Sequence, residues 1–445
     1  MEKASAVLTR PDNPQLRLLR PGGSAYEEAR TVWNAMVDHR PAAIALCASA
    51  EEVRAAVAFA READLEIGVR CGGHNIAGLA VPDGGLMIDL RPLSHVRVDP
   101  VARRATVGGG ALLGALDRAA QRHGLATTAG NVSHTGVGGL TLGGGMGWLA
   151  RKHGLTCDNV LAYTLVTAEG DVIRATAEEN ADLFWGLRGG GGNFGIVTEF
   201  EFRLHPVPGQ TLVAEVPFGP DEAAEAMAGW RELAAGAPRE ATFTASLQGD
   251  RAKLGFVWVG PRERAAESLV ERLSRLAPGR EARVEEPSYV ELQTSDDSIE
   301  GHAKRRYWKG HYLPDLPDEA IAALLAGRDA ASPNVSLQAY GGAIAEVADE
   351  DSAFDHRGTR FEYVAAAGWT DPDHDDERRA ATRADAARIA PFAKGAYVNA
   401  LSDEGQGGVR QAYGDAKLAR LRALKDTFDP DNAFHRNHNI APSGR

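Results

Sequence analysis

The sequence has few cysteines, no long apolar run and no excess of positive charge. Three cysteines, Cys47, Cys71 and Cys157, are spread over 445 residues, which excludes a disulfide framework and a C-x-x-C metal pair. Lys and Arg number 49 against 61 Asp and Glu, a net charge of −12, which disfavours nucleic acid and anionic membranes as partners. No run of 18 apolar residues occurs, so no membrane span is predicted.

Residues 1–8 show neither the apolar segment nor the paired arginines of an export signal. We therefore expect a cytoplasmic protein with ample length for a large core and more than one domain. We expect a monomer or homodimer that acts on a small molecule, with no metal site.

Glycine, in contrast, is abundant, with 50 residues. Three clusters crowd the first half, at 68–78, 136–147 and 189–195, and the first encloses His74 between a predicted strand at 65–69 and another at 86–90. Glycine lets backbone N–H groups approach a ligand without a side chain between them, which suits a diphosphate. One such turn is equally compatible with a solvated histidine, but three together indicate a large phosphorylated ligand.

The third cluster contains G-x-G-x-x-G at Gly190, Gly192 and Gly195. A dinucleotide-binding fingerprint must follow a strand and open a helix. Here a predicted helix, 180–187, precedes the glycines and a predicted strand, 196–202, follows them. The Rossmann interpretation is therefore rejected, and no P-loop motif is present.

Together these motifs resemble the FAD-linked oxidases of the vanillyl-alcohol oxidase type, in particular the berberine-bridge-enzyme-like branch and the bacterial hydroxynicotine oxidases. The similarity covers almost the whole chain. The matching segments, in order, are 70–78, the run TGVGGLTLGGGMGWLARKHGLTCDNV at 135–160, 182–200, Tyr-Val-Asn at 397–399, and 428–434 with 437–440.

The resemblance implies an FAD bound covalently through His74 to the flavin 8α-methyl carbon. It also implies further cofactor-binding residues in all the matching segments. These are Arg70, Cys71, Gly72, Gly73, Asn75, Gly78, Thr135, Gly136, Gly138, Gly139, Leu142, Gly143, Gly145, Asn193, Gly195, Val197, Asn437 and Asn439.

Many berberine-bridge-like members carry a second tether, a cysteine three residues before the position of Thr135. This chain has Val132 there, and valine cannot form the bond. Cys157 is the remaining candidate, but it occupies a position where the family has a small residue, which favours a buried free thiol. The sequence therefore predicts a single histidyl linkage.

The fold class that the resemblance implies is α+β, with an FAD-binding domain of two α+β subdomains and a substrate domain in which helices cover an antiparallel sheet. Residues 1–208 are expected to form the first part of the FAD-binding domain, 209–394 the substrate domain, and 395–445 the return to the FAD-binding domain. Helices are predicted at 26–40, 50–63, 112–122, 221–234, 261–276, 317–326 and 375–388. Strands of the substrate domain are predicted at 211–218, 241–248, 252–259, 335–340 and 360–368.

The catalytic base is less clear from the sequence. The family's Tyr-x-Asn-Tyr motif reads Tyr397-Val398-Asn399-Ala400 here, so the second tyrosine is absent, and Val364 occupies a position where the family has an acid or amide. Strand alternation puts Glu362 on the same face as Val364, which makes it a candidate base or an exposed sheet carboxylate. Tyr397 is a candidate base or a core residue.

Four further candidates come from other segments. Alternation groups Tyr307, Lys309 and His311 on one strand face, which either lines a substrate cleft or is a half-exposed strand. His134 is a weaker candidate, because it lies close to the glycines expected next to the flavin.

We expect an oxidase that transfers a hydride from a C–H bond of an alcohol or amine, a secondary metabolite, to the flavin, with O₂ as acceptor. In the family that the sequence resembles, the residue at the position of Thr135 controls the access of O₂ to the flavin. Oxidases have valine there, and threonine has nearly the same volume. The alternative role for Thr135 is packing under the glycine loop. The alternative function is a flavin-containing protein that binds or reoxidises a drug or quinone.

Since His74 is the expected single tether, Cys157→Ser should keep its flavin on the protein after acid precipitation, whereas His74→Ala should release it. Absorbance of the redissolved pellet measures the retained flavin. Loss of flavin from Cys157→Ser pellets would overturn the single-linkage interpretation.

Overall fold

The computed structural model describes residues 16–207, 209–298, 301 and 304–444. The segment 1–8, on which the expected absence of an export signal rests, lies outside these ranges. Within them, no helix combines the length and the apolar character needed to span a bilayer. In the described part of the chain, the strands form three large sheets and one two-stranded sheet.

The first sheet has the strand order β1-β2-β4-β3, with β2, β4 and β3 parallel and β1 antiparallel at the edge. Its helix α2 is capped by Ser49, whose hydroxyl accepts a hydrogen bond from the Glu52 backbone N–H at 3.2 Å. The bounds are β1 Arg17–Leu19, α1 Ser24–Arg30, β2 Ala43–Leu46, α2 Ala50–Ala63, β3 Ile67–Arg70 and β4 Leu86–Asp89.

The second sheet is antiparallel, in the order β5-β6-β10-β8-β9, and packs over a core that includes Tyr163 and Phe200. Helix α6 precedes the third glycine cluster and strand β10 follows it, which confirms that this cluster is no Rossmann turn. The bounds are β5 Val96–Asp99, β6 Arg104–Gly108, α3 Leu113–Gln121, β7 Leu125–Ala126, α4 Val137–Leu142, α5 Ala150–His153, β8 Val160–Val166, β9 Val172–Ala175, α6 Ala181–Leu187, β10 Ile196–Arg203 and β11 His205–Pro206.

The third sheet has seven antiparallel strands in the order β15-β12-β14-β13-β17-β18-β16. Helices bury one of its faces, where Trp230, Phe243 and Tyr363 form part of a large core. The bounds are β12 Leu212–Phe218, α7 Pro220–Ala235, β13 Ala241–Gln248, β14 Arg251–Trp258, α8 Arg264–Arg275, β15 Arg283–Glu285, α9 Tyr289–Thr294, β16 Arg305–Leu313, α10 Asp318–Leu325, β17 Asn334–Ala339, α11 Ala343–Glu346, β18 Phe361–Trp369, α12 Asp375–Ile389 and α13 Gly405–Phe428.

These elements confirm most of the segments predicted from periodicity, usually within one to three residues. The helix predicted at 26–40 is wrong beyond Arg30, because the following residues make tertiary contacts instead. The Asn34 amide donates to the carbonyls of Ile76 and Arg306 at 2.7 and 3.0 Å. The division at 208 and 394 stays a prediction.

A buried ion pair fixes the C-terminal segment to the third glycine cluster. Lys425 Nζ, fully buried, lies 2.6 Å from Asp429 and donates to the carbonyls of Asn193 and Phe434 at 2.8 and 3.0 Å. Asp429 in turn accepts from the backbone N–H groups of Ala433 and Phe434. Since every charged atom has a partner, the pair tolerates burial and orients residues 434–440.

Candidate active site

A cavity of about 870 Å³ lies between the glycine clusters and the face of the seven-stranded sheet that the helices leave uncovered. His74, Thr135 and Gly192 border it on one side, and Gln338 and Glu362 on the other. The volume is in the range of cofactor and ligand sites. The cavity therefore joins residues that are almost 300 positions apart in the sequence.

A direct backbone contact brings the first two glycine clusters together. A Cβ on Gly72 would lie 2.4 Å from the Gly136 nitrogen, and a Cβ on Gly136 would lie 2.3 Å from the Gly72 nitrogen. No side chain fits at either position. The requirement for glycine here is therefore steric, and it sets His74 beside the loop that carries His134 and Thr135.

Most of the residues predicted to bind the cofactor border this cavity. They are Cys71, Gly72, Gly73, His74, Asn75, Thr135, Gly136, Gly138, Gly139, Leu142, Asn193, Gly195, Val197 and Asn437.

The other five predicted cofactor residues, Arg70, Gly78, Gly143, Gly145 and Asn439, are not among the lining residues. Arg70 is buried and donates to the Ala29 carbonyl, and burial lowers the pKa of its guanidinium to about 10. Gly78 has φ of 69° and packs against Val37.

Gly143 packs against the Asn399 amide, and the Gly145 N–H donates to the Tyr397 hydroxyl at 2.9 Å. The carbonyl of Asn439 accepts from Gln406. The cavity is lined instead by His438, whose burial lowers the pKa of the imidazole to about 4. These five residues make contacts within the protein and do not border the cavity, a difference that a motif match does not reveal.

His74 is held by three neighbouring side chains. Its Nε2 lies 2.6 Å from Nδ1 of His134, and its Nδ1 lies 3.4 Å from the Thr135 hydroxyl. The indole of Trp33 stacks on its ring, with centroids 5.0 Å apart and planes inclined by 17°. These contacts restrict rotation of the imidazole.

Cys157 and Cys71 differ in their position relative to the cavity. Cys157 is fully buried and is not a lining residue, and desolvation strongly raises the pKa of its thiol. Cys71 borders the cavity, but burial raises its pKa to about 11 and its Sγ donates to the Ala111 carbonyl at 3.4 Å. Both thiols are therefore poor nucleophiles at neutral pH.

Glu362 and Val364 share the face of β18 that borders the cavity, as alternation predicts. Glu362 Oε2 accepts a hydrogen bond from the Tyr340 hydroxyl at 2.8 Å. Burial raises the pKa of the Glu362 carboxyl to about 7, while the tyrosine bond opposes that shift. Gln338 of β17 lies directly opposite Glu362 in the sheet.

Tyr397 also lines the cavity, but its hydroxyl accepts hydrogen bonds from the Gly145 backbone and from the Asn399 amide, each at 2.9 Å. Burial raises the pKa of this phenol far above neutrality. The hydroxyl therefore stays protonated, and its contacts anchor the second glycine cluster.

Of the predicted group Tyr307, Lys309 and His311, only Tyr307 lines the cavity. Its neighbours Arg306 and Trp308, which have the opposite parity on β16, line it as well. His311 is not a lining residue; its ring stacks near Tyr363 on the helix-covered side.

The hydroxyl of Tyr307 donates a hydrogen bond to Asp403, and the amine of Lys309 forms an ion pair with the same carboxylate. Both side chains therefore belong to an ion cluster around Asp403. The sequence could establish which residues share a face but not which face is covered by helices.

The lining is suited to a large polar cofactor. Gly139 and Gly192 have no atom within 4 Å of a Cβ placed on them, so the backbone there is open to a ligand. Among the described residues, several buried polar atoms that border the cavity have no hydrogen-bond partner. These are Asn131 Oδ1, Trp308 Nε1, Gln338 Nε2, Asn437 Oδ1 and His438 Nε2.

Comparison with known proteins identifies that cofactor. Residues 41–176 match the FAD binding domain family, and 396–441 match the berberine and berberine-like family. The (R)-6-hydroxynicotine oxidase of Paenarthrobacter nicotinovorans is 32% identical, over 99% of this chain and 100% of that protein. The chain belongs to the berberine-bridge-enzyme-like family of FAD-linked oxidases. It is an FAD-linked oxidoreductase with the expected α+β fold.

Solved structures agree with this assignment. A berberine-bridge-enzyme-like protein of Physcomitrella patens superimposes with a TM-score of 0.89 at 25% identity, covering 99% of each chain. The 6-hydroxy-D-nicotine oxidase of Arthrobacter nicotinovorans gives 0.86 at 28% identity, covering 98% of this chain and 100% of the other.

Several residues that line the cavity were not predicted from the sequence. Trp33 fell inside the helix wrongly predicted at 26–40, and Trp308 has the opposite strand parity to the candidates Tyr307 and Lys309. Gln338 was within a predicted strand, and its polar alternation with Asn334 and Ser336, which also line the cavity, was the available signal.

The contact between the first two glycine clusters predicts that Gly136→Ala lowers the free energy of unfolding by roughly 1–3 kcal/mol, because the added methyl overpacks a backbone contact. The matched control is Gly139→Ala in helix α4, where a methyl meets open space and should raise stability by up to about 1 kcal/mol. Urea unfolding of the flavin-free proteins measures both. Equal midpoints for the two variants would refute the steric constraint.

Proposed function

We propose that this protein oxidises an alcohol or amine, with Glu362 accepting the proton of the O–H or N–H next to the carbon that gives up a hydride. FAD, when bound, supplies the hydride acceptor. The observation that carries the proposal is a carboxyl group with a pKa near 7 in the wall of the cavity, opposite the glycine clusters.

Glu362 is the best suited of the candidate bases. A general base is most effective when its pKa lies near the working pH, and burial brings the pKa of Glu362 to about 7. Tyr340 donates to one carboxylate oxygen and so fixes the side chain while stabilising its charged form. Tyr397 is less suitable, because its pKa is raised and its hydroxyl already accepts two hydrogen bonds.

We also propose that His74 carries the FAD covalently and alone. Support comes from its place in the cavity wall, from Val132 at the usual second site, and from the buried, protonated thiol of Cys157. One related structure, a glucooligosaccharide oxidase, is described by a 6-S-cysteinyl, 8α-N1-histidyl FAD. This chain would retain only the histidyl bond.

For the substrate, we propose a hydroxylated or amine-bearing secondary metabolite. Relatives are named for hydroxynicotine and for gluco-, xylo- and chitooligosaccharides. The cavity face of β17 presents Asn334, Ser336 and Gln338, which supply hydrogen-bonding groups for a polar molecule. A cytoplasmic location and a monomeric or homodimeric state are proposed with it.

If Glu362 is the base, Glu362→Gln should slow anaerobic flavin bleaching roughly 10²-fold at pH 8, because an amide cannot accept the proton. A panel of aromatic alcohols, hydroxylated N-heterocycles and oligosaccharides supplies the reductants. In the wild type, the bleaching rate should rise with pH through about 7 as the carboxyl ionises.

Tyr340→Phe tests the same assignment, since loss of its hydrogen bond raises the pKa of Glu362 and should shift the rise in bleaching rate to higher pH. If the bleaching rate of Glu362→Gln still rises with pH through about 7, another residue is the base. Binding without bleaching by any member of the panel would favour the drug- or quinone-binding alternative.

We propose O₂ as the final acceptor, with Thr135 leaving a passage beside His74 that a larger side chain would close. The photoreduced wild-type protein should reoxidise well within a second in aerated buffer and form hydrogen peroxide. Thr135→Leu should slow that reoxidation, whereas Thr135→Val, of similar volume, should not. Reoxidation of the wild type over minutes without peroxide would mark a dehydrogenase.

A further inference from the structure

A chain of hydrogen bonds runs from the backbone of Asp297 to the imidazole of His74. His134 Nε2 lies 3.4 Å from the carbonyl oxygen of Asp297, and His134 Nδ1 lies 2.6 Å from Nε2 of His74. The rings of the two histidines are 4.7 Å apart. Neither the family motif nor the catalytic step proposed above involves these hydrogen bonds.

In the neutral form of both rings, these hydrogen bonds determine which nitrogen of each histidine carries the proton. A carbonyl oxygen only accepts, so Nε2 of His134 must carry its proton and Nδ1 must be the accepting nitrogen. Nε2 of His74 must then donate to Nδ1 of His134. The lone pair of His74 consequently lies on Nδ1, the nitrogen that is 3.4 Å from the Thr135 hydroxyl.

The far end of this chain is held in place. The Ser133 backbone N–H and hydroxyl donate to the two carboxylate oxygens of Asp297, at 2.8 and 2.6 Å. Trp33 stacks on the other side of His74 and limits the rotation of its ring. These contacts hold the donor and acceptor atoms in place.

We propose that His134 is a positioning residue for covalent attachment of FAD, making Nδ1 of His74 the nucleophile and accepting the proton that Nε2 loses. One C–H bond of the 8α-methyl group is replaced by a C–N bond to Nδ1. The carbon releases a proton, the imidazole releases another, and the two electrons left behind pass to the flavin. O₂ takes up these electrons and both protons as hydrogen peroxide, so the step balances.

This inference rests on the proposed histidyl linkage, and its test is the rate of attachment. Protein produced under riboflavin limitation is mixed with FAD in air, and flavin that survives acid precipitation is measured over time. Relative to wild type, His134→Ala should attach flavin roughly 10²-fold more slowly, the usual size of a general-base effect. Added imidazole should restore part of that rate.

His134→Asn is the matched variant, because its amide can keep a hydrogen bond to His74 Nε2 but is not basic. It should bind FAD non-covalently with the wild-type affinity, as flavin released by acid will report, and yet attach it as slowly as His134→Ala. His74→Ala, which lacks the attachment residue, serves as the control for the background of acid-stable flavin.

Attachment at the wild-type rate in either His134 variant would overturn the proposal, because neither alanine nor asparagine can accept the proton. A wild-type protein that releases all its flavin in acid would instead refute the histidyl linkage itself. The two failures are therefore distinguishable.

Discussion

The site depends on the contact between Gly72 and Gly136, two backbones too close for any side chain between them. That contact joins the loop that follows the parallel strand β3 to the loop that opens helix α4. Once they are joined, His74, His134 and Thr135 lie within hydrogen-bond reach of one another. A single methyl group at either glycine would separate the residue expected to hold the cofactor from the residues that orient it.

Two other regions complete the cavity and come from distant parts of the chain. The buried pair of Lys425 and Asp429 fixes the C-terminal segment against Asn193, which brings Asn437 and His438 to the wall. The uncovered face of the seven-stranded sheet closes the opposite side with Gln338 and Glu362. The site is therefore an interface between sheets, and its rigidity depends on how firmly each is packed.

Burial distinguishes the ionisable groups around this cavity. Desolvation raises the pKa of Glu362 to about 7, where a carboxyl group can exchange a proton at neutral pH. The same effect keeps the Tyr397 phenol and the Cys157 thiol protonated. Residues that look equally reactive in the sequence thus differ in their protonation, because they differ in their distance from water and in their hydrogen bonds.

The sequence by itself determined most helix and strand limits, since hydrophobic periodicity is a local property, and its resemblance to a known family implied the α+β architecture. It also pointed to the family, and most of the residues that it predicted to bind the cofactor line the cavity, because glycine spacing reflects a backbone that must approach a ligand. Strand parity correctly grouped Glu362 with Val364, and Tyr307 with Lys309 and His311.

Only the tertiary structure decided which of those groups faces the cavity, because the covered face of a sheet depends on where its helices pack. It likewise decided that the chain after Arg30 leaves the helix to place Trp33 on His74, and that His134 and Asp297, 163 positions apart, meet. Such contacts join residues distant in sequence through shape and hydrogen bonding, and no local pattern encodes them.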